Sequence, residues 1–190
     1  MPPDLAPCLL IAAPGMSCPF FNHTVVLLVE HGEEGALGFV INRPTTTPVT
    51  SLLEGLEVED LSEHLPGEVW VGGPVAPDTG WVLFDPLSGE SDDVEAVELA
   101  ERVAVSASRT FLEHLAGGEG PTVYALLLGY AGWGPGQLDD EIRDGSWISI
   151  DLDPALVFDA DHADRWRAGL ATLGIDPSRM VGVGGGIAEA

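Results

Sequence analysis

The chain has 190 residues, and its 45% apolar content is enough to build the core of one domain spanning residues 1–190. It carries 31 acidic residues against seven arginines and no lysine, which gives a formal net charge of −24. Such a surface repels nucleic-acid phosphate and anionic lipid, so direct nucleic-acid binding and membrane binding are disfavoured. Because no apolar run is long enough to span a bilayer and no basic leader precedes the first one, the sequence predicts a cytoplasmic protein.

Two cysteines are the only residues that raise the question of a metal or a disulfide. Cys8 and Cys18 have no further cysteine and no histidine at ligand spacing, so we expect no metal site. Free thiols are the expected state, and a disulfide is the alternative. The terminal GVGGGI leaves too little chain for the helix of a dinucleotide fingerprint, and no phosphate loop is present, so no cofactor is predicted.

Three strands are predicted in the first quarter of the chain, at 9–13, 24–30 and 36–42. The second and third are continuous apolar runs, which is typical of strands buried on both faces. The polar turn at 31–35 joins them in a hairpin. Arg43-Pro44 stops the third strand, and a short helix is predicted over Val49–Gly55, with proline at its first turn.

The middle of the chain predicts more short elements. Strands at 69–71 and 81–84 flank Gly72-Gly73-Pro74, and the acidic segment 86–101 is predicted to be an exposed excursion. A strand at 102–106 and a helix at 109–116 with Ser108 as its cap follow; the alternative is one longer helix over 94–115. The apolar run 122–128 predicts a buried strand.

The stretch 129–138, GYAGWGPGQL, is dense in glycine and follows that buried strand directly. We predict that the strand ends at Gly129-Tyr130 in a sharp or left-handed turn and that Pro135 occupies the first position of a new helix. This helix is predicted to continue over Gln137–Arg143. A further strand at 147–152 and a helix from 161 to 173 complete the prediction.

Three segments together carry a resemblance to a known family. They are LLIAAPGMSCPFFNHTVVLLVEHGEEGALGFVINRP at 9–44, VGGPV at 71–75 and LGYAGWGPGQLDDEI at 128–142. In this order they resemble the YqgE/AlgH family of bacterial proteins. The resemblance implies an α/β fold of the α+β type, with a bulged, mostly antiparallel sheet flanked by short helices. It also implies the label of transcriptional regulator for some members and no established reaction. Cys18 departs from the aspartate that is common at its position.

The histidines do not make a convincing catalytic group. His31 and Glu30 would point to opposite faces of a strand, which favours a structural role for His31. His23 lies near Ser17 and Cys18 in sequence, but neither nucleophile-elbow spacing nor a third orienting residue accompanies it. The family resemblance favours a regulatory or interaction protein, and we expect an unidentified protein or small neutral ligand as its partner. A small-molecule-binding module and a hydrolase or transferase of unrecognised type remain the alternatives.

The turns after the buried strands are the predicted binding patch. We expect the turns at 42–44, 72–74 and 129–138 to meet on one concave surface, with free backbone N–H groups near Gly136 and Gln137. Arg43 would supply charge, Asn42 a hydrogen bond and Trp133 an apolar lid. The proposed contact residues are Asn42, Arg43, Gly72, Gly73, Trp133, Gly136 and Gln137. The alternative is that the glycines only permit tight packing, with Trp133 in the core.

Overall fold

The computed structural model describes residues 5–58, 61–62, 65–90 and 95–177, and it shows an α+β protein built on one large sheet. The strands are β1 (Cys8–Ala12), β2 (Val25–Gly32), β3 (Gly35–Val40), β4 (Pro44–Pro48), β5 (Glu68–Val71), β6 (Val75–Phe84), β7 (Val97–Ala100), β8 (Val103–Ser106), β9 (Tyr124–Trp133) and β10 (Trp147–Asp151). None of the helices in these residues is long and apolar enough to cross a membrane.

The sheet is mostly antiparallel and irregular. Its main path runs β10-β1-β2-β3-β9-β6-β8-β7, and β5 adds to β9 while β4 adds to β5. Only the β5–β9 pairing is parallel within the described chain. Register shifts interrupt the pairings β2–β3, β4–β5, β6–β9 and β7–β8. The prediction of a bulged, mostly antiparallel sheet is confirmed.

Short helices cover the sheet. They are α1 (Val49–Gly55), α2 (Arg109–Ala116), α3 (Gln137–Arg143) and α4 (Arg165–Thr172), with a 3-10 turn at Pro86–Ser88 and a π-helical turn at Ala155–Asp159. The core consists of three apolar clusters. One includes residues of the π-helical turn and α4, a second includes residues of α1 and α2, and the third includes Leu138 of α3.

Several predicted elements are confirmed because their signals are local. The first three strands are present, and β2 has four fully buried residues at its start. The Ser108 hydroxyl accepts a hydrogen bond from the backbone N–H of Phe111 at 3.3 Å, so α2 begins where its cap predicted. Because β8 and α2 are separate elements, the alternative of one helix over 94–115 is wrong.

The prediction that the strand ends at Gly129-Tyr130 is wrong. β9 continues to Trp133, since Ala131–Trp133 pair with residues 36–38 of β3. Gly129 has φ +70°, and a Cβ there would lie 2.4 Å from the carbonyl oxygen of Gly73. The glycine thus permits a close crossing of two backbones inside the sheet and does not end the strand.

Two other boundaries were predicted incorrectly. The segment 86–101 is not only an exposed excursion, because its described residues, 86–90 and 95–101, include the 3-10 turn and β7, which pairs with β8. Residues 91–94 lie outside the described residues. The helix predicted from 161 begins at Arg165, after the π-helical turn. Arg165 is 3% exposed and donates hydrogen bonds to the carbonyl oxygens of Ile41 and Ala160, which ties the start of α4 to the end of β3. Burial lowers the pKa of this guanidinium to about 10.

Candidate functional site

A cavity of about 810 Å³ lies beside α3 and β10. The loop at 13–18 forms one wall, and Phe21 and the last residues of β9 form another. The remaining walls come from one side of α3 and from the start of β10, while Ile175 contributes from beyond α4. The cavity has the size of a ligand or peptide side-chain site.

Glu141 on α3 organises the inner wall. Its Oε2 accepts hydrogen bonds from the indole Nε1–H of Trp133 at 3.0 Å and of Trp147 at 2.8 Å. Its Oε1 accepts one from the side-chain amide of Gln137 at 2.8 Å, and the Gln137 Oε1 accepts one from the backbone N–H of Gly134 at 3.1 Å. One carboxylate therefore joins the end of β9, the helix α3 and the start of β10.

The aromatic rings around this carboxylate are closely packed. Phe21 stacks on Trp133 with ring centroids 6.3 Å apart and meets Trp147 edge-on at 5.5 Å. The two indoles are themselves edge-on at 5.9 Å. Trp133 and Trp147 are buried, whereas Phe21 is only partly buried. Phe21 is therefore the most accessible ring of this aromatic wall.

The charge of the cavity is negative. Glu141 and Asp144 line it, and no arginine or histidine does so among the described residues. The three hydrogen bonds to Glu141 come from neutral donors, so they orient its charge without cancelling it. A cationic or hydrogen-bond-donating group is therefore the chemical match for this space, and an anion is not.

The two cysteines differ in accessibility. Cys18 is exposed and lines the cavity, whereas Cys8 is buried in the sheet. Desolvation by burial, with a smaller contribution from Asp151, raises the pKa of Cys8 to about 11. Both thiols are free, and near neutral pH Cys18 is the accessible one.

Two of the predicted patch residues, Trp133 and Gln137, line this cavity. Gly136 precedes α3 with φ +72°, and Pro135 lies before the helix, not at its first position. The backbone N–H of Gln137 already donates to the carbonyl oxygen of Gly134 at 3.0 Å. The expectation that this N–H is free is therefore wrong.

Asn42 and Arg43 do not line this cavity, and their side chains form hydrogen bonds with backbone groups. The Asn42 side chain accepts from the N–H of Val25 and donates to the carbonyl oxygen of His23, both at 2.9 Å. Arg43 donates to the carbonyl oxygen of Asn22 at 2.8 Å, and its guanidinium carbon lies 5.6 Å from the ring centre of Phe20. Both side chains thus fix the segment that leads into β2.

Gly72 and Gly73 pack against the backbone of β9. A Cβ on Gly73 would lie 1.9 Å from the carbonyl carbon of Tyr130, and one on Gly72 would lie 2.4 Å from the carbonyl oxygen of Gly129. The turns at 42–44 and 72–74 are adjacent, since the N–H of Val71 donates to the carbonyl oxygen of Arg43. The structure does not bring the seven predicted residues into one cavity, and their joint role in binding stays a prediction.

Sequence reasoning missed Glu141, Trp147, Phe21 and Cys18 as cavity residues. The i, i+4 spacing of Gln137 and Glu141 on a predicted helix does indicate that these two side chains are neighbours. The contact between Trp133 and Trp147 could not be predicted from the sequence, because it depends on how β9 and β10 flank α3.

The histidines contact other parts of the fold. The side chain of His31 is 5% exposed; its Nε2 lies 3.4 Å from Asp139 Oδ1, and its Nδ1 accepts from the N–H of Leu5. The ring of His23 lies 4.1 Å from that of Trp166. Within the described residues, no group of three or more His, Cys, Asp or Glu is arranged to hold a metal ion.

Comparison with known proteins agrees with the motifs quoted above. A family model described as AlgH-like matches residues 9–178. The chain belongs to the AlgH-like family. Among its AlgH-like relatives, a UPF0301 protein of Anaeromyxobacter dehalogenans (strain 2CP-C) is 44% identical over 195 residues, covering 100% of this chain and 98% of that protein. A UPF0301 protein of Ruegeria pomeroyi is 41% identical over 91% of this chain and 94% of its own.

Solved structures show the same AlgH-like fold. The solution structure of the AlgH protein from Pseudomonas aeruginosa has a TM-score of 0.75 at 37% identity and covers 98% of both chains. A crystal structure of a Corynebacterium diphtheriae protein has a TM-score of 0.70 at 23% identity, covering 87% of this chain and 85% of that one. At 23% identity, the second structure shows a similar fold and nothing more.

Proposed function

We propose that this AlgH-like chain is a cytoplasmic regulatory protein that acts by binding a protein partner at the cavity beside α3 and β10. The observation that carries the proposal is the Glu141 carboxylate, held by Trp133, Trp147 and Gln137 at the wall of an open cavity. Such a preformed wall, apolar with one fixed polar group, is typical of binding sites. Any regulation of transcription would then pass through the partner.

The charge of the chain supports an indirect action on DNA. Its net charge of −24 repels phosphate, and the cavity itself adds two carboxylates. We expect no retardation of duplex DNA by the protein at physiological salt. A salt-dependent complex with DNA would contradict this part of the proposal.

The arrangement around Glu141 supports binding over catalysis. Three donors already use this carboxylate, so it is positioned to present charge and is poorly placed to abstract a proton. Cys18, the accessible thiol, has no histidine beside it among the described residues that line the cavity. The site has the features of a recognition surface.

Alkylation of Cys18 tests the location of the site. A bulky maleimide near neutral pH should modify Cys18 and spare Cys8, whose raised pKa keeps it in the thiol form below about pH 11. We expect the modified protein to lose partners that the untreated protein captures from its native host, as identified by mass spectrometry. The matched control is the Cys18→Ser variant treated with the same reagent, which should keep them. Equal capture by the blocked and the control proteins would contradict the proposal.

A further inference from the structure

β10 is an edge strand that no described strand covers on its outer side. It pairs only with β1 in the sheet path, through five consecutive residue pairs with no register shift. A regular, unpaired edge presents a row of backbone donors and acceptors and can receive another strand.

The hydrogen-bond pattern identifies the free groups. The N–H of Ala13 donates to the carbonyl oxygen of Ser146 at 2.9 Å, and the N–H of Ala12 donates to Thr24 on the other side. Because backbone groups alternate along an antiparallel pair, Ile148 and Ile150 direct theirs toward β1. The N–H and C=O groups of Trp147, Ser149 and Asp151 therefore point outward.

The two faces of this edge offer different chemistry. On one face lies the aromatic wall, where Trp147 and Glu141 border the cavity. On the other face lie Ile148 and Ile175, which also border it. Side chains of an added strand alternate between the two faces. Every second side chain would therefore contact the aromatic rings and the carboxylate, and the side chains between them would contact the aliphatic surface.

The charge along the edge favours one kind of occupant. Glu141 and Asp144 line the cavity, Asp151 ends the strand and Asp153 follows it, and neither β10 nor the described lining contains a basic residue. A second copy of this chain would bring its own Asp151 and net charge of −24 to the contact, which disfavours self-pairing. A basic segment would be attracted to these carboxylates, whereas a second copy of the chain would be repelled by them.

We propose that β10 receives an extended, basic segment of a partner protein as an added strand. The segment pairs with the outward groups of Trp147, Ser149 and Asp151, places a lysine or arginine side chain in the cavity beside Glu141, and packs an apolar neighbour on Ile148 and Ile175. This inference rests on the proposed function and specifies the partner of the same cavity.

Ser149 provides the decisive variant. Because its N–H points outward, Ser149→Pro removes one donor and adds a ring at the free edge while leaving the pairing with β1 in place. Ser149→Ala is the matched control, since it removes the hydroxyl and keeps the N–H. Both variants are first compared with wild type for thermal unfolding and near-ultraviolet circular dichroism.

The probe is a phage-displayed library of peptides of about ten residues, selected on the full-length chain. We expect enrichment of net-basic peptides with basic and apolar residues in alternation. Synthetic copies should bind Ser149→Pro about ten-fold or more weakly than wild type and Ser149→Ala equally well. Raising the salt concentration should weaken binding to wild type.

Three results would overturn the inference: no enrichment, enrichment of neutral or acidic sequences, or equal affinity of folded Ser149→Pro and wild type. The proposed function fails separately. If alkylation of Cys18 removes captured partners and Ser149→Pro retains them, the cavity binds a partner but β10 does not pair with it. If neither change affects capture, both proposals fail.

Discussion

The main path of the sheet ends in two edge strands, β10 and β7, that are built differently. β10 pairs with β1 through five residues in unbroken register, whereas the β7–β8 pairing shifts register between Glu98 and Ala100. A bulge twists a strand and interrupts its row of backbone groups, so β7 is a poor template for another strand. Exposure alone therefore does not enable an edge strand to pair with another strand: Val97 of β7 is 50% exposed, yet its strand is irregular.

A carboxylate anchors each edge, and the two carboxylates are satisfied differently. Near β7, Asp85 accepts from the Nε of Arg102 at 2.8 Å, and Arg102 also lies 3.5 Å from Asp159. The hydrogen bond to Asp85, with help from Asp159, raises the pKa of Arg102, so this end is a closed ion-pair network. Near β10, Glu141 is held by neutral donors and keeps its charge available. The carboxylate near β7 is thus paired with an arginine, whereas the carboxylate near β10 can still attract a cation.

Loss of the Glu141 carboxylate should have the largest effect on stability. Glu141→Ala leaves two buried indole N–H groups without an acceptor, so we expect the free energy of unfolding to fall by about 2–4 kcal/mol. Glu141→Gln keeps one acceptor oxygen and should lose about 1 kcal/mol or less. Urea unfolding followed by tryptophan fluorescence measures both; equal losses would show that the two indole hydrogen bonds do not anchor this edge.

Loss of Arg102 should have a smaller effect, confined to the other edge. In Arg102→Ala, the Asp85 carboxylate, whose side chain is 5% exposed, loses its cationic partner. It keeps the hydrogen bond from the N–H of Leu87 at 2.9 Å, and water can enter the space that the partly exposed arginine side chain leaves. We expect a lower melting temperature than wild type, by less than for Glu141→Ala, and unchanged affinity for the selected peptides. A loss of peptide affinity in a folded Arg102→Ala would contradict the separation of the two edges.

The smallest effect is expected at Val97. Val97→Thr keeps β-branching on an exposed, irregular edge, so the free energy of unfolding should change by no more than about 0.5 kcal/mol. Peptide affinity should match that of wild type when measured by fluorescence anisotropy. Weaker binding would mean that β7, too, receives the peptide.

The sequence predicted the elements whose signals are local. The strands at the start of the chain follow from continuous apolar runs, α2 from its Ser108 cap, and α3 from the acidic turn after Gly136. The continuation of β9 to Trp133 was not predictable, because it requires β3 as a partner more than ninety residues earlier in the chain. A glycine-rich stretch has the same composition whether it turns or lets two backbones cross.

The candidate site was predictable only in part, for the same reason. Trp133 and Gln137 were singled out from one glycine-rich stretch, and both line the cavity. Trp147 and Cys18 come from distant segments that meet only because β10 and β1 are neighbours. Asn42 and Arg43 have the polarity of binding residues, but their hydrogen bonds go to the segment before β2.

The most direct test of the role of β10 is a nuclear magnetic resonance titration of the uniformly ¹⁵N-labelled chain with an enriched basic peptide. We predict shifts in the indole signals of Trp133 and Trp147 and slower exchange of the outward amides of Trp147, Ser149 and Asp151 in the complex. The amides of β7 at Val97–Ala100 should stay unchanged. Shifts centred on β7 or on Arg43, with the two indole signals and the β10 amides unmoved, would contradict it.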